Sequence, residues 1–169
     1  DTYPAIKVAA VQASSVFLDR DATVRKAATL IREAGANGAK IIGFPEGFIP
    51  GHPIWYHHHA ATSRIANDLA VRLFKNSVEI PGPATDLLCR AAMDAGAYVV
   101  MGLCERLPGT LGTLFNSQIT IAPTGTIIGK HQKMSPTVGE RLVHAVGYGD
   151  TFGTCATDYG PISGLICSE

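Results

Sequence analysis

The stretch AKIIGFPE, residues 39–46, decides the fold class. It reads as a short buried strand that ends in Pro45 and a carboxylate, Glu46. Just before it, DRDATVRKAATLIREAGANG (19–38) sets Val24, Ala27, Ala28, Ile31 and Ala34 at helical spacing. Asp21 is the expected N-cap of that helix, and Gly35 or Gly38 its stop. Earlier still, AIKVAAVQA (5–13) is another apolar strand. Strand, helix and strand in succession predict an α/β domain. Strands apolar on both faces also require cover on both faces.

The same alternation continues downstream. Residues 47–61 carry Gly, Pro and aromatics and read as a functional loop, followed by a helix over 62–76. PGPATDLLCRAAMDAG (81–96) is a helix opened by Pro-Gly-Pro and closed by Gly96. AYVVMGLCER (97–106) is a strand, and TLFNSQITIAP (113–123) with IIGKHQKM (127–134) forms a hairpin around a turn at 124–126. A polar, glycine-rich stretch fills 135–160, and a last strand, GPISGLIC (160–167), leads to Cys167.

Composition narrows the function classes. The 169 residues suit one domain, and 46% hydrophobic with 17% charged residues excludes a disordered chain. Fourteen basic and fourteen acidic residues cancel without a Lys/Arg cluster, which argues against nucleic acid or an anionic membrane as partner. No apolar run reaches the roughly 18 residues of a membrane span, and DTYPAIKVAAVQ lacks the layout of a signal peptide. The four cysteines, 89, 104, 155 and 167, match no zinc or CxxC spacing and point to reduced thiols in a cytoplasmic protein. Cys89 and Cys104 read as small buried apolar residues.

Glu46, Lys133 and Cys167 each lie at the carboxyl end of an expected strand, where α/β sheets collect their chemistry. Singly, Glu46 and Lys133 are ordinary solvated charges. Together the three form a usable set: a thiolate nucleophile, a carboxylate to take its proton, and an ammonium to steady developing charge. Such a set suits attack on a carbon–nitrogen bond in an amide or nitrile. The run His57-His58-His59 predicts no metal site, because adjacent residues share no face of a helix or strand. GYGDTFG (147–153) fails as a phosphate loop because no strand precedes it. Thr137 and Glu140 have the spacing of an N-cap and its N3 partner.

FPEGFIPGHPIW (44–55), GKHQKMSPTVGER (129–141) and GPISGLICSE (160–169) resemble, in this order, the three signature segments of the nitrilase superfamily of carbon-nitrogen hydrolases. The resemblance runs from residue 5 to the end and is strongest to the true nitrilase branch. It implies a Glu46–Lys133–Cys167 triad, with Glu140 supporting it by holding Lys133 or the substrate. Two departures stand out: Ser168 where many true nitrilases carry Trp before the glutamate, and Gln132 where an arginine usually precedes the lysine. The implied fold is a four-layer α-β-β-α sandwich. Residues 1–169 would be a single carbon-nitrogen hydrolase domain supplying roughly its N-terminal half. The family's chains run well past the cysteine, so a longer chain, or a second fragment completing the fold, is expected.

The implied activity is hydrolysis of a small-molecule nitrile to acid and ammonia through cysteine thioimidate and thioester intermediates, with no metal or organic cofactor. Trp55, Tyr56 and Phe48 are the expected substrate-contact aromatics and favour an aromatic or arylaliphatic nitrile; plain packing is the competing role for Trp55 and Tyr56. The family's habit implies a homo-oligomer, either a dimer or a spiral filament. Two rival functions stand beside this one: an amidase or cyanide-hydrating relative with the same triad, and a catalytically silent assembly subunit.

Overall fold

A computed structural model describes residues 5–169. Its elements are β1 (Val8–Ala10), α1 (Arg20–Ala36), β2 (Ile41–Gly43), α2 (Arg64–Asn76), α3 (Pro83–Ala95), β3 (Tyr98–Arg106), β4 (Leu114–Ile121) and β5 (Ile127–Gln132). The strands form one sheet in the order β1-β2-β3-β4-β5. β1, β2 and β3 run parallel because helices connect them, whereas short hairpins make β3–β4 and β4–β5 antiparallel.

The helix ends follow local chemistry. Asp19, not Asp21, caps α1: its backbone is extended and its carboxylate accepts from the Ala22 N–H at 2.8 Å, while Asp21 lies in the first turn. Pro83 opens α3, and Gly96 closes it in a left-handed conformation at φ 57°. Gly35 is not a stop, since α1 continues to Ala36. It is the contact between helices, because a Cβ there would stand 2.5 Å from the Ala95 Cβ.

Alternation along β3 and β4 sorts the two faces of the sheet. Val99, Met101, Leu103, Ile119 and Ile121 pack with the apolar stripes of α1 and α3 into the main core. Each such fully buried aliphatic side chain stabilises the fold by about 1.5–3 kcal/mol. α2 sits on a smaller core that includes Trp55, Leu73, Cys104 and Leu114. The opposite face of the β3–β4 pair carries Gly102, Asn116 and Gln118 in its middle. One sheet and its helical layer correspond to one α-β half of the four-layer sandwich. Among the described residues, no helix is long and apolar enough to cross a membrane.

One expected element does not form. Residues 160–167 make no strand; Ile162 bridges Cys155 through a reciprocal pair of hydrogen bonds at 2.7 and 2.9 Å, Gly160 bridges Asp158, and neither bridge extends into a ladder. A strand needs a free edge for its backbone groups. At β5 the Gln132 N–H is already taken by the Thr151 hydroxyl at 3.0 Å.

Candidate active site

The sheet directions explain how distant residues meet. β2 and β5 point the same way, because two antiparallel steps separate β5 from β3. Glu46 follows the end of β2 and Lys133 follows the end of β5, so both emerge at the same end of the sheet. β4 runs oppositely, and its third residue, Asn116, lies near that end too. The Lys133 N–H donates to the Asn116 carbonyl at 2.8 Å and keeps the lysine in register just beyond the strand.

Gly102 lets the segment carrying Glu46 cross β3. A Cβ at Gly102 would run into the Pro45 carbonyl oxygen and stand 2.9 Å from the Glu46 Cα. The crossing is then pinned by Ile49, whose carbonyl accepts from the Cys104 N–H at 2.7 Å.

Around Lys133 the side chains close into a charged knot. Its ammonium donates to Glu46 Oε1 at 2.8 Å, to Glu140 Oε2 at 3.1 Å and to the Thr137 hydroxyl at 3.3 Å. Asn116 Nδ2 donates to Glu46 Oε1 at 2.7 Å and reaches Glu140 Oε1 at 3.5 Å. His52 Nε2 stands 3.5 Å from Glu140 Oε2. The side chains of Lys133 and Glu140 are 1% and 3% exposed, while Glu46 is 29% exposed, so Glu46 is the member of the group that faces outward. Burial alone would depress the lysine pKa, but the bonds and charges of Glu46 and Glu140 outweigh it and hold the pKa above the ordinary lysine value. Thr137 does sit at the N-cap of a 3-10 turn over Val138–Leu142, but its hydroxyl caps nothing; both it and Glu140 serve Lys133 instead.

Cys167 is exposed and adopts φ 63°, in the left-handed region that costs a non-glycine residue about 1–2 kcal/mol. It lines a cleft of about 220 Å³ whose wall includes Glu46, Phe44, Asn116, Gln118 and Leu165. Glu46 thus lines the same cleft as Cys167 and also bonds Lys133. The structure brings all three to one place, with Cys167 joined by the shared cleft rather than by a hydrogen bond.

The expected substrate-contact aromatics lie elsewhere. Trp55 is 3% exposed in the smaller core, with its ring 5.4 Å from that of Tyr56. Tyr56 is half-buried, and its Cβ lies where a side chain on Gly139 would extend. Phe48 is 3% exposed and packs on Phe44 at 5.1 Å. None of these three lines the cleft; Phe44 does.

Glu46, His52 and Glu140 bring potential metal ligands within 4.8 Å of one another. The Lys133 ammonium already bonds both carboxylates and offsets part of the negative charge that would draw a metal. His57, His58 and His59 are exposed on their loop.

Residues 7–169 match the family model described as carbon-nitrogen hydrolase. The chain belongs to the carbon-nitrogen hydrolase family. Among its relatives is Nitrilase 2 from an unknown prokaryotic organism, 40% identical over 164 residues, which cover 97% of this chain and 52% of that one. The nitrilase of Bacillus sp. (strain OxB-1) is 40% identical over 167 residues, 99% of this chain and 48% of the relative. The chain therefore spans about half the length of these curated relatives. Saccharomyces cerevisiae Nit3, a member of branch 10 of the nitrilase superfamily, superposes with a TM-score of 0.72 at 25% identity over 96% of this chain and 55% of its own. An amidase from Nesterenkonia sp. gives 0.69 at 19% identity, with 96% of this chain and 55% of its own covered, a likeness of fold alone. The sheet and helices are those of the nitrilase-type sandwich.

Several residues of this candidate site escape a reading by motif. Asn116 had one available signal: an amide inside a nearly continuous apolar strand must find partners when buried. Gly102 and His52 had none, because their value lies in what crosses over them or approaches them from distant segments.

Proposed function

We propose that the full protein hydrolyses an organic nitrile to the carboxylic acid and ammonia, with Cys167 as nucleophile, Glu46 as proton carrier, Lys133 as stabilising charge and Glu140 as its support. The observation carrying this reading is the cleft wall shared by Glu46 and Cys167, with Lys133 held behind Glu46 at 2.8 Å. The relatives named as nitrilases at 40% identity support the choice of a nitrile over other carbon–nitrogen bonds.

In this reaction the Cys167 thiol passes its proton through Glu46 to the nitrile nitrogen as sulfur attacks carbon, giving a thioimidate. Water adds to that carbon, Glu46 relays its proton to nitrogen, and ammonia leaves behind a thioester. A second water, deprotonated by Glu46, releases the acid and restores the thiol. One nitrile and two waters become one acid and one ammonia, with no oxidant or reductant. Two carboxylates keep the proton on Lys133, so it acts as a fixed charge beside the tetrahedral species rather than as a proton donor. Phe44 and Leu165 supply an apolar wall that supports an aromatic or arylaliphatic substrate. A homo-oligomer is part of the proposal, to be checked by light scattering.

The test is ammonia release from a panel of nitriles and their matching amides, using the full-length protein and its Cys167→Ala variant. We expect nitrile turnover to fall by about a thousandfold or more in Cys167→Ala. Unchanged turnover would sink the triad. Amides consumed faster than nitriles would replace the nitrile reading with the amidase one.

A further inference from the structure

Glu169 is absent from the expected catalytic set, yet its side chain is 4% exposed and fully engaged. Its Oε2 accepts from His131 Nε2 at 2.8 Å and from the Ile166 N–H at 2.9 Å, and its Oε1 accepts from the Met134 N–H at 2.5 Å. These donors come from two separate places in the chain. Ile166 precedes Cys167, and Met134 follows Lys133. From these contacts we propose that Glu169 is a positioning residue: its carboxylate ties the turn that presents Cys167 to the end of β5 that presents Lys133.

Three features support this role. Cys167 sits at φ 63°, a conformation it would leave if unconstrained, and the bond from Ile166 N–H to the Glu169 side chain closes the turn around it. The three donors favour the ionised carboxylate: burial works against the charge, but the bonds from His131, Ile166 and Met134 outweigh it and keep the Glu169 pKa below the ordinary carboxylate value. An ionised carboxylate accepts only, so His131 carries its proton on Nε2. Its ring is held edge-on to Phe152 at 5.6 Å, and its Nδ1 has no partner, so the Glu169 bond is what fixes the tautomer.

This inference rests on the reading of Cys167 as nucleophile, and its test separates the two. In the full-length protein, the alkylation of Cys167 by iodoacetamide, followed by peptide mass spectrometry, reports the turn whatever the substrate is. Cys167→Ala reports the nucleophile. Glu169→Gln keeps the shape but points a donor at donors. We expect it to slow Cys167 alkylation at neutral pH and to lower kcat by about 10- to 100-fold, with KM within about twofold. His131→Gln removes one of the three bonds and should give a smaller loss of the same kind, while the double variant should be no worse than Glu169→Gln, since the bond is shared. Alkylation by Glu169→Gln at or above the wild-type rate overturns the proposal. If Glu169→Gln does not fold, His131→Gln decides: wild-type alkylation and kcat there overturn it equally.

Discussion

Lys133 donates to Glu46 at 2.8 Å across 87 residues of sequence. Neither residue could reach the other without the β4–β5 hairpin, which returns the chain to the direction of β2 and delivers the lysine to the same end of the sheet. The pair belongs to a three-charge group, since Glu140 approaches the same ammonium at 3.1 Å. One cation between two carboxylates makes each partner depend on the others, and that dependence can be measured.

Lys133→Met leaves Glu46 and Glu140 facing one another without their cation. We expect it to cost about 3–5 kcal/mol in urea unfolding of the full protein, the usual consequence of stranding a buried charge. Adding Glu140→Gln should recover part of that loss, because it removes the less exposed carboxylate. A wild-type unfolding midpoint for Lys133→Met would contradict the charge arrangement.

Stability should decline on acidification through His144. Burial, then the neighbouring charges of His52 and Lys133, push its pKa down to about 3, and its Nε2 lies 3.2 Å from the Cys104 sulfur. Burial likewise pushes the Cys104 thiol up to about 12, so the pair stays neutral. The folded pKa lies below the ordinary 6.5, so the unfolded chain binds the extra proton first. The contribution is therefore complete above pH 6.5 and drains away as pH falls toward 3, by at most about 1.4 kcal/mol per pH unit. Thermal melts of His144→Gln across this window should show a shallower slope than wild type.

Gly102→Ala should displace Glu46, because the new methyl meets the Pro45 carbonyl. The expected cost is about 1–3 kcal/mol of stability, with a larger proportional fall in kcat. Gly112→Ala is the control: its Cβ would meet nothing within 4 Å, and melting temperature and kcat should both hold. Equal effects from the two substitutions would argue against the crossing as the reason for Gly102.

Asn116→Asp replaces the donor shared by Glu46 and Glu140 with a third carboxylate. At pH 7 it should melt lower than Asn116→Ala, and the gap should narrow at pH 4 as carboxylates take up protons. A gap independent of pH would mean that Asn116 matters for shape and not for charge.

Much of this molecule was legible before its structure. Helical spacing located α1 and α3, and apolar runs located β3, β4 and β5, each within a few residues. These elements are set by side-chain periodicity, a property of neighbours in sequence. The ordered motifs also singled out Glu46, Lys133, Cys167 and Glu140, and the first three converge on the same end of the sheet. Other features were beyond local pattern. The segment 160–167 has a strand's composition but finds only two isolated bridges, because pairing depends on which edge is free. Glu140 has both the spacing of a helix cap and an expected role beside Lys133; only the structure decides between them, with its carboxylate 3.1 Å from the lysine ammonium and the Thr137 hydroxyl capping nothing.

By itself, the sequence determined the α/β class, the layout of helices and strands, and the chemical types available for catalysis. The tertiary structure alone decided which of those groups touch: that Asn116 bridges two glutamates, that Trp55 is packed into a core, and that Glu169 spans the turns beside Cys167 and Lys133. The physical reason is range. Propensity and periodicity act over a few residues, whereas hydrogen bonds and burial at this site join segments that meet only when the sheet has set their directions.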